Sequence, residues 1–165
     1  MSGRWKRWVG ASASIALIAT LLIAGLVPAS AQTEIRVLDR EGPYEKYLDL
    51  GKPGFSAGDV VMESHPLVDA ADGATVVGRD FERLTVLRIR SGGDDFEFIY
   101  DSTLRFTDGD VVLYGEGRFS DLFASGGLAF AVVGGTGAYA GMGGTATFSS
   151  TVTEGEFLIV IDLAG

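Results

Sequence analysis

The stretch Leu128–Phe148, LAFAVVGGTGAYAGMGGTATF, decides the fold of this chain. An apolar alternating run enters a glycine-dense turn, and a second alternating run leaves it. Six of its 21 residues are glycine, and Gly126 and Gly127 stand just before it. Such a stretch serves as a phosphate loop, a flexible hinge or a barrel corner. A Walker loop needs Gly-Lys-Ser/Thr opening a helix, and no Lys lies near; a dinucleotide loop needs a strand-turn-helix unit. Here Thr145-Ala146-Thr147-Phe148 follows, which alternates like a strand and carries no helical face. Glycine supplies positive φ and close backbone approach at a corner or bulge, and Tyr139 can pack back onto the rim.

The same alternation runs outward through the chain. Glu34–Leu38 reads as a first strand, with a short one at Tyr47–Leu50. Ala57–Ser64 reads as a strand ending at His65-Pro66, and Thr75–Arg90 as a long extended one. In Phe96–Phe106, residues Phe96, Phe98, Tyr100, Leu104 and Phe106 share one face. Ser91–Asp94 is a turn signal, and Asp108-Gly109 marks a tight hairpin into Val111–Phe119. Leu128–Val133, Thr145–Val152 and Phe157–Leu163 complete the set. No segment after residue 31 shows a sustained helical period. Seven or eight strands at hairpin spacing mean an all-β barrel or sandwich. Phe157–Ile161 is apolar on both faces, which suggests a covered exterior or packing between subunits.

Residues 1–31 read as a secretory signal peptide, not as fold. Arg4, Lys6 and Arg7 precede an apolar run at Ile15–Val27, and Ala29-Ser30-Ala31 offers a cleavage site. The apolar run is short for a membrane span. The alternative is an uncleaved N-terminal anchor. Cleavage leaves one domain, residues 32–165, exported by the general secretory route and without a stable membrane anchor. Losing three basic residues and no acidic ones takes the formal net charge from −9 to −12. That balance argues against nucleic acid and anionic membrane as partners.

The chain has no Cys and one His, so disulfides, thiol nucleophiles and multi-His metal clusters are excluded. No Gly-x-Ser-x-Gly elbow is present. No metal and no cofactor is expected.

Several segments together resemble the allene oxide cyclase and dirigent barrel family. They are Gly58-Asp59-Val60-Val61, His65-Pro66-Leu67, Asp69–Gly78, Ser102-Thr103-Leu104 and Val133–Tyr139. The likeness spans roughly Ile35–Leu163, and the glycine turn is its most specific element. It implies an eight-stranded antiparallel barrel, preceded here by the signal peptide, with an elongated apolar lumen and often a trimeric assembly. It also implies the steering of a reactive intermediate into one ring closure or coupling geometry. Leu84 stands where the plant cyclases carry a Cys. Ser64-His65 stands where plant dirigent proteins carry an acidic pair, and Ala140 and Gly143 replace basic residues of their glycine turn. The vessel transfers and the plant chemistry does not.

Candidate residues follow from types and faces. His65, at a strand end beside Pro66, is either a general acid or base near neutral pH or an exposed loop histidine. Glu63 shares its face by strand period, as its partner or as an exposed carboxylate. Phe98 and Tyr100 share one face, and Tyr114 shares another with Val112 and Glu116. With Phe130 and Tyr139 they are candidates for lining a ligand site, or plain core. The charges of Thr75–Arg90, Glu82 and Arg88 among them, read as exterior ion pairs; Arg79 is the candidate for binding a substrate carboxylate. Asp69, Asp72, Asp94, Asp95, Asp108 and Asp110 read as turn residues.

Three functions stand on this reading. The first is a cofactor-free barrel that folds a hydrophobic intermediate and directs its cyclisation or coupling. The second is a non-catalytic small-molecule carrier of the lipocalin type. The third is a structural module whose apolar faces serve a homodimer or trimer.

Overall fold

The computed structural model describes residues 32–90 and 95–165. The leader at 1–31 and the turn at Ser91–Asp94 lie outside the described residues. Nine strands follow one another: β1 Thr33–Arg40, β2 Tyr44–Leu48, β3 Val60–Asp69, β4 Val76–Ile89, β5 Phe96–Phe106, β6 Asp110–Arg118, β7 Leu128–Gly135, β8 Gly143–Ser150 and β9 Glu156–Ala164. The sheet order is β1-β9-β8-β7-β6-β5-β4-β3-β2, with β1 also paired to β3. That pairing closes eight antiparallel strands into a barrel and leaves β2 as an extra strand. Closure removes the open edges that an eight-stranded sheet would otherwise present.

The closing seam explains one departure from the sequence reading. β3 does not end at His65-Pro66 but continues to Asp69. β2 pairs with its first half, Val60–Ser64, and β1 with its last three residues, Leu67–Asp69. Pro66 therefore sits where β3 lacks a neighbour on one side, a place where an imino residue is tolerated. The chain crosses from β1 to β2 directly over this gap. At Gly42 a Cβ would collide with the Ser64 carbonyl, so only glycine permits the crossing.

The glycine-rich turn is a corner. β7 ends at Gly135, a single 3-10 turn covers Gly137–Tyr139, and β8 starts at Gly143. The amides of Thr136 and Ala138 donate to the carbonyls of Asp110 and Asp108. These N–H groups are thus committed to the neighbouring β5–β6 hairpin. The Tyr139 ring packs edge-on to Phe106, at 5.7 Å between centroids, and its hydroxyl bonds Asp108 at 3.0 Å.

Strand alternation divides the barrel interior into layers. Leu67, Leu104, Val111, Leu113, Ile161 and Leu163 form a solid plug toward the glycine corner, each fully buried. Away from the corner β5 presents Ser102, Tyr100, Phe98 and Phe96 in turn, and there the interior opens. A second 3-10 turn, Phe119–Phe123, sits at that end, where the sequence suggested only the close of a strand. Phe119 stacks on Phe96 at 4.9 Å.

Candidate active site

The open half of the barrel is a cavity of about 120 Å³ that is partly open to solvent. Its walls are aromatic and aliphatic: Leu84, Phe98, Phe119, Leu122, Phe130, Phe148 and Phe157. Tyr100 stacks on Phe130 at 4.4 Å, and Phe148 meets both rings edge-on.

A polar layer crosses the barrel between these walls and the apolar plug. β3 brings in Glu63 and His65, and their register partners on β4 are Glu82 and Asp80. β1 adds Asp39, and β5 adds Tyr100 and Ser102. His65 Nδ1 lies 3.2 Å from Asp39 Oδ2. The Tyr100 hydroxyl reaches Glu82 Oε2 at 2.7 Å and Asp80 Oδ2 at 3.2 Å. Ser102 donates to Asp80 Oδ1, and Glu63 lies opposite Glu82 in the strand register.

Burial decides the protonation of this layer. It pushes Glu82 well above the carboxylate range, helped by the nearby charge of Asp80 and by Glu63. It lifts Asp80 to about 7, with Asp39 adding to the rise. Asp39 is raised by burial too, against the pull of His65. Burial alone would lower His65, but the hydrogen bond and charge of Asp39, with Glu63 and Asp80, raise it on balance. Tyr100 is raised well above its ordinary value by burial and by Asp80 and Glu82. The layer thus brings Glu82, a carboxyl raised by burial, and the hydrogen-bonded His65–Asp39 pair into one cavity. Asp39, His65 and Glu82 each bring one ligand atom within 4.8 Å of the others, a nitrogen and two oxygens that a divalent ion can use.

Of the residues expected from sequence, Glu63, His65, Phe98, Tyr100 and Phe130 line the cavity. Three expected residues lie elsewhere. Tyr114 is 51% exposed on the outer face. β6 turns Gly115 and Gly117 inward instead, because Phe130 and Leu128 occupy the space their side chains would need. Arg79 is exposed outside and touches Ser64 Oγ at 3.3 Å. Tyr139 caps the opposite end, at the glycine corner.

Glu82 corrects the sequence reading in the other direction. It reads as an exterior charge together with Arg88, with which it shares parity, yet Glu82 is inside. A bulge between Val86 and Arg88 shifts the period, and beyond it Arg88 and Arg90 face outward onto Glu97. Asp39 went unrecognised because the first strand read as ending at Leu38, whereas β1 runs to Arg40, and Asp80 because a carboxylate within an alternating strand looks like a solvated one. Phe148 and Phe157 fell within strands read from the sequence but were not read as cavity wall. Phe119 closed the strand read at Val111–Phe119, and Leu122 lay beyond it. The turn reading holds for Asp69 and Asp72, which accept backbone N–H groups two and three residues on; Asp94 lies outside the described residues.

A closed antiparallel barrel with an aromatic cavity over an acid-base layer defines a class of small-molecule barrels. Residues 39–163 match the family described as allene oxide cyclase barrel-like domain, and the chain belongs to that family. No curated protein sequence matches it. Among solved structures, a pyocyanin demethylase is 23% identical with a TM-score of 0.64, over 80% of this chain and 100% of its own. A Diels-Alderase from Streptomyces koyangensis is 17% identical with a TM-score of 0.60, over 84% of this chain and 70% of its own. A pterocarpan synthase dirigent protein is 19% identical with a TM-score of 0.56, over 80% and 92%. At these identities the likeness is one of fold.

Proposed function

We propose that the barrel takes an unsaturated, largely apolar small molecule into its lumen and directs its cyclisation or coupling. One observation carries the reading: an aromatic wall and a buried acid-base layer share one cavity. The wall holds a flexible substrate folded. Restraint of this kind supplies up to roughly 7–11 kcal/mol at its ideal limit. Ring closure is an isomerisation, in which a new σ bond forms at the expense of a π bond and no atoms are lost.

The polar layer supplies the proton traffic. Glu82 donates to a carbonyl or alkene at one end of the substrate. With its Nδ1 proton held by Asp39, His65 has Nε2 left to accept a proton at the other end. His65 then releases its proton to solvent at the cavity mouth and Glu82 takes one up again, which returns the layer to its starting charge. No net proton is consumed. Cyclases and dirigent proteins among the structural neighbours support the reading by analogy of fold.

The same proposal places the protein outside the cytoplasm, on the strength of the basic, apolar and small-residue pattern of residues 1–31. The decisive experiment incubates the purified protein with linear polyene precursors and compares products with a protein-free control. A changed rate or product ratio is expected. An identical product distribution, with the added molecule recovered unmodified from the barrel, favours a carrier and sinks the catalytic reading.

A further inference from the structure

We infer that the ligand of this lumen carries a positive charge: an aromatic or apolar molecule with one protonated nitrogen, seated against Asp39 and Glu63. The inference rests on the lumen being the ligand site and adds the charge of the ligand to that reading. Four carboxyls, Asp39, Glu63, Asp80 and Glu82, enter one cross-section of the barrel. His65 and Tyr100 are the other titratable groups facing them. No Lys or Arg lines the cavity among the described residues.

The arginines that could have balanced these carboxyls are outside. Arg83 pairs with Asp101 at 2.9 Å, Arg88 and Arg90 with Glu97, Arg105 with Asp110 and Arg118 with Asp95. The interior is acidic with nothing but one histidine against it, and the exterior carries both signs.

A second observation is independent of this count. Asp39 is only 3% exposed, and its Oδ1 has no hydrogen-bond partner. A buried carboxylate oxygen without a donor is costly, and an ammonium or heteroaromatic N–H of a ligand supplies one. The walls favour the same species. Phe98, Tyr100, Phe130 and Phe148 line the cavity, and cations are attracted to aromatic rings. A neutral hydrocarbon uses the wall and leaves Asp39 unpaired. A fatty-acid-like carboxylate adds a fifth acid to the layer.

Three naphthalene probes of one shape test this: 1-naphthylmethylammonium, 1-naphthylmethanol and 1-naphthylacetate, titrated calorimetrically into the full-length protein near neutral pH. The ammonium is expected to bind at least about tenfold tighter than the alcohol, as a charge-assisted contact supplies, with the carboxylate weakest. In Asp39→Asn, which is isosteric, the ammonium loses its advantage over the alcohol. Equal binding of ammonium and alcohol, or preference for the carboxylate, overturns the inference and leaves the lumen as a ligand site. Failure of all three to bind overturns both. A preference that appears only with added zinc assigns the positive charge to a metal on Asp39, His65 and Glu82, and overturns the inference as well.

Discussion

His65 and Asp39 meet at 3.2 Å across the seam that closes the barrel. They are 26 residues apart in the chain, on strands that pair over three residues only. Asp39 is held there because β1 pairs with the last three residues of β3. Gly42 then lets the chain pass over the Ser64 carbonyl toward β2. The closure that makes the barrel therefore also assembles the base of the candidate site.

The buried carboxyl layer makes stability depend on pH in an unusual direction. A group whose folded-state pKa is raised contributes stability that is complete at low pH and lost as pH climbs through the folded value. Asp80, lifted by burial from 3.8 to about 7, loses its contribution across that interval. Glu82, Asp39 and His65 are raised as well and act in the same direction. Asp72, held down at about 2 by Thr75, opposes them only below 3.8. The melting temperature is expected to be higher at about pH 5 than at about pH 8, by on the order of 5 °C. Thermal melts across this range check it, and Asp80→Asn should flatten the profile. A melting temperature that rises toward alkaline pH contradicts the account.

Replacing His65 separates chemistry from binding. His65→Gln keeps the volume and a polar side chain, so the fold and the aromatic wall remain. Loss of the base should lower kcat by about a hundredfold to ten-thousandfold with KM little changed. Steady-state kinetics on any turned-over precursor decide it. An unaltered kcat would remove His65 from the mechanism.

Much of the fold was legible because strand alternation and turn chemistry are local signals. Phe96–Phe106 declared its inner face, Asp108-Gly109 its hairpin and the glycine run its corner. The site was legible only where two residues of one strand carried it, as with Glu63 and His65. Asp39 and Asp80 join the layer through pairing between strands distant in sequence, which no local pattern encodes. Glu82 and Tyr114 were misplaced for different reasons. Glu82 was grouped with the other charges of its strand as exterior, although it shares parity with the apolar Leu84 and Val86; only beyond the bulge after Val86 do Arg88 and Arg90 face outward. At Tyr114 the inner face of β6 was taken by glycines that yield to Phe130 and Leu128.

Two tyrosines on neighbouring strands give a paired test of that placement. Tyr100→Phe removes the hydroxyl shared by Glu82 and Asp80. Leaving those buried acceptors short of a donor should cost about 1–3 kcal/mol. Tyr114→Phe, on the exposed outer face, should stay within about 0.5 kcal/mol. Denaturant unfolding of both variants measures the difference, and comparable losses would mean that the register of β6 is wrong.

The glycine corner offers a test that does not involve the site. Gly137 has φ of +58, and a Cβ there would run into the Asp108 carbonyl. That carbonyl accepts the Ala138 amide and so ties the corner to the β5–β6 hairpin. Gly137→Ala meets both the left-handed backbone and the collision, so it should destabilise by about 1–3 kcal/mol or more. Gly134 lies three residues earlier at the end of β7 and has no positive φ, and a Cβ added there would meet nothing within 4 Å. Gly134→Ala should therefore be neutral or slightly stabilising, since alanine restricts the unfolded chain more than glycine does. Chemical denaturation of the two variants side by side distinguishes a corner from a flexible hinge. A hinge would tolerate both substitutions alike, whereas a corner rejects only the first.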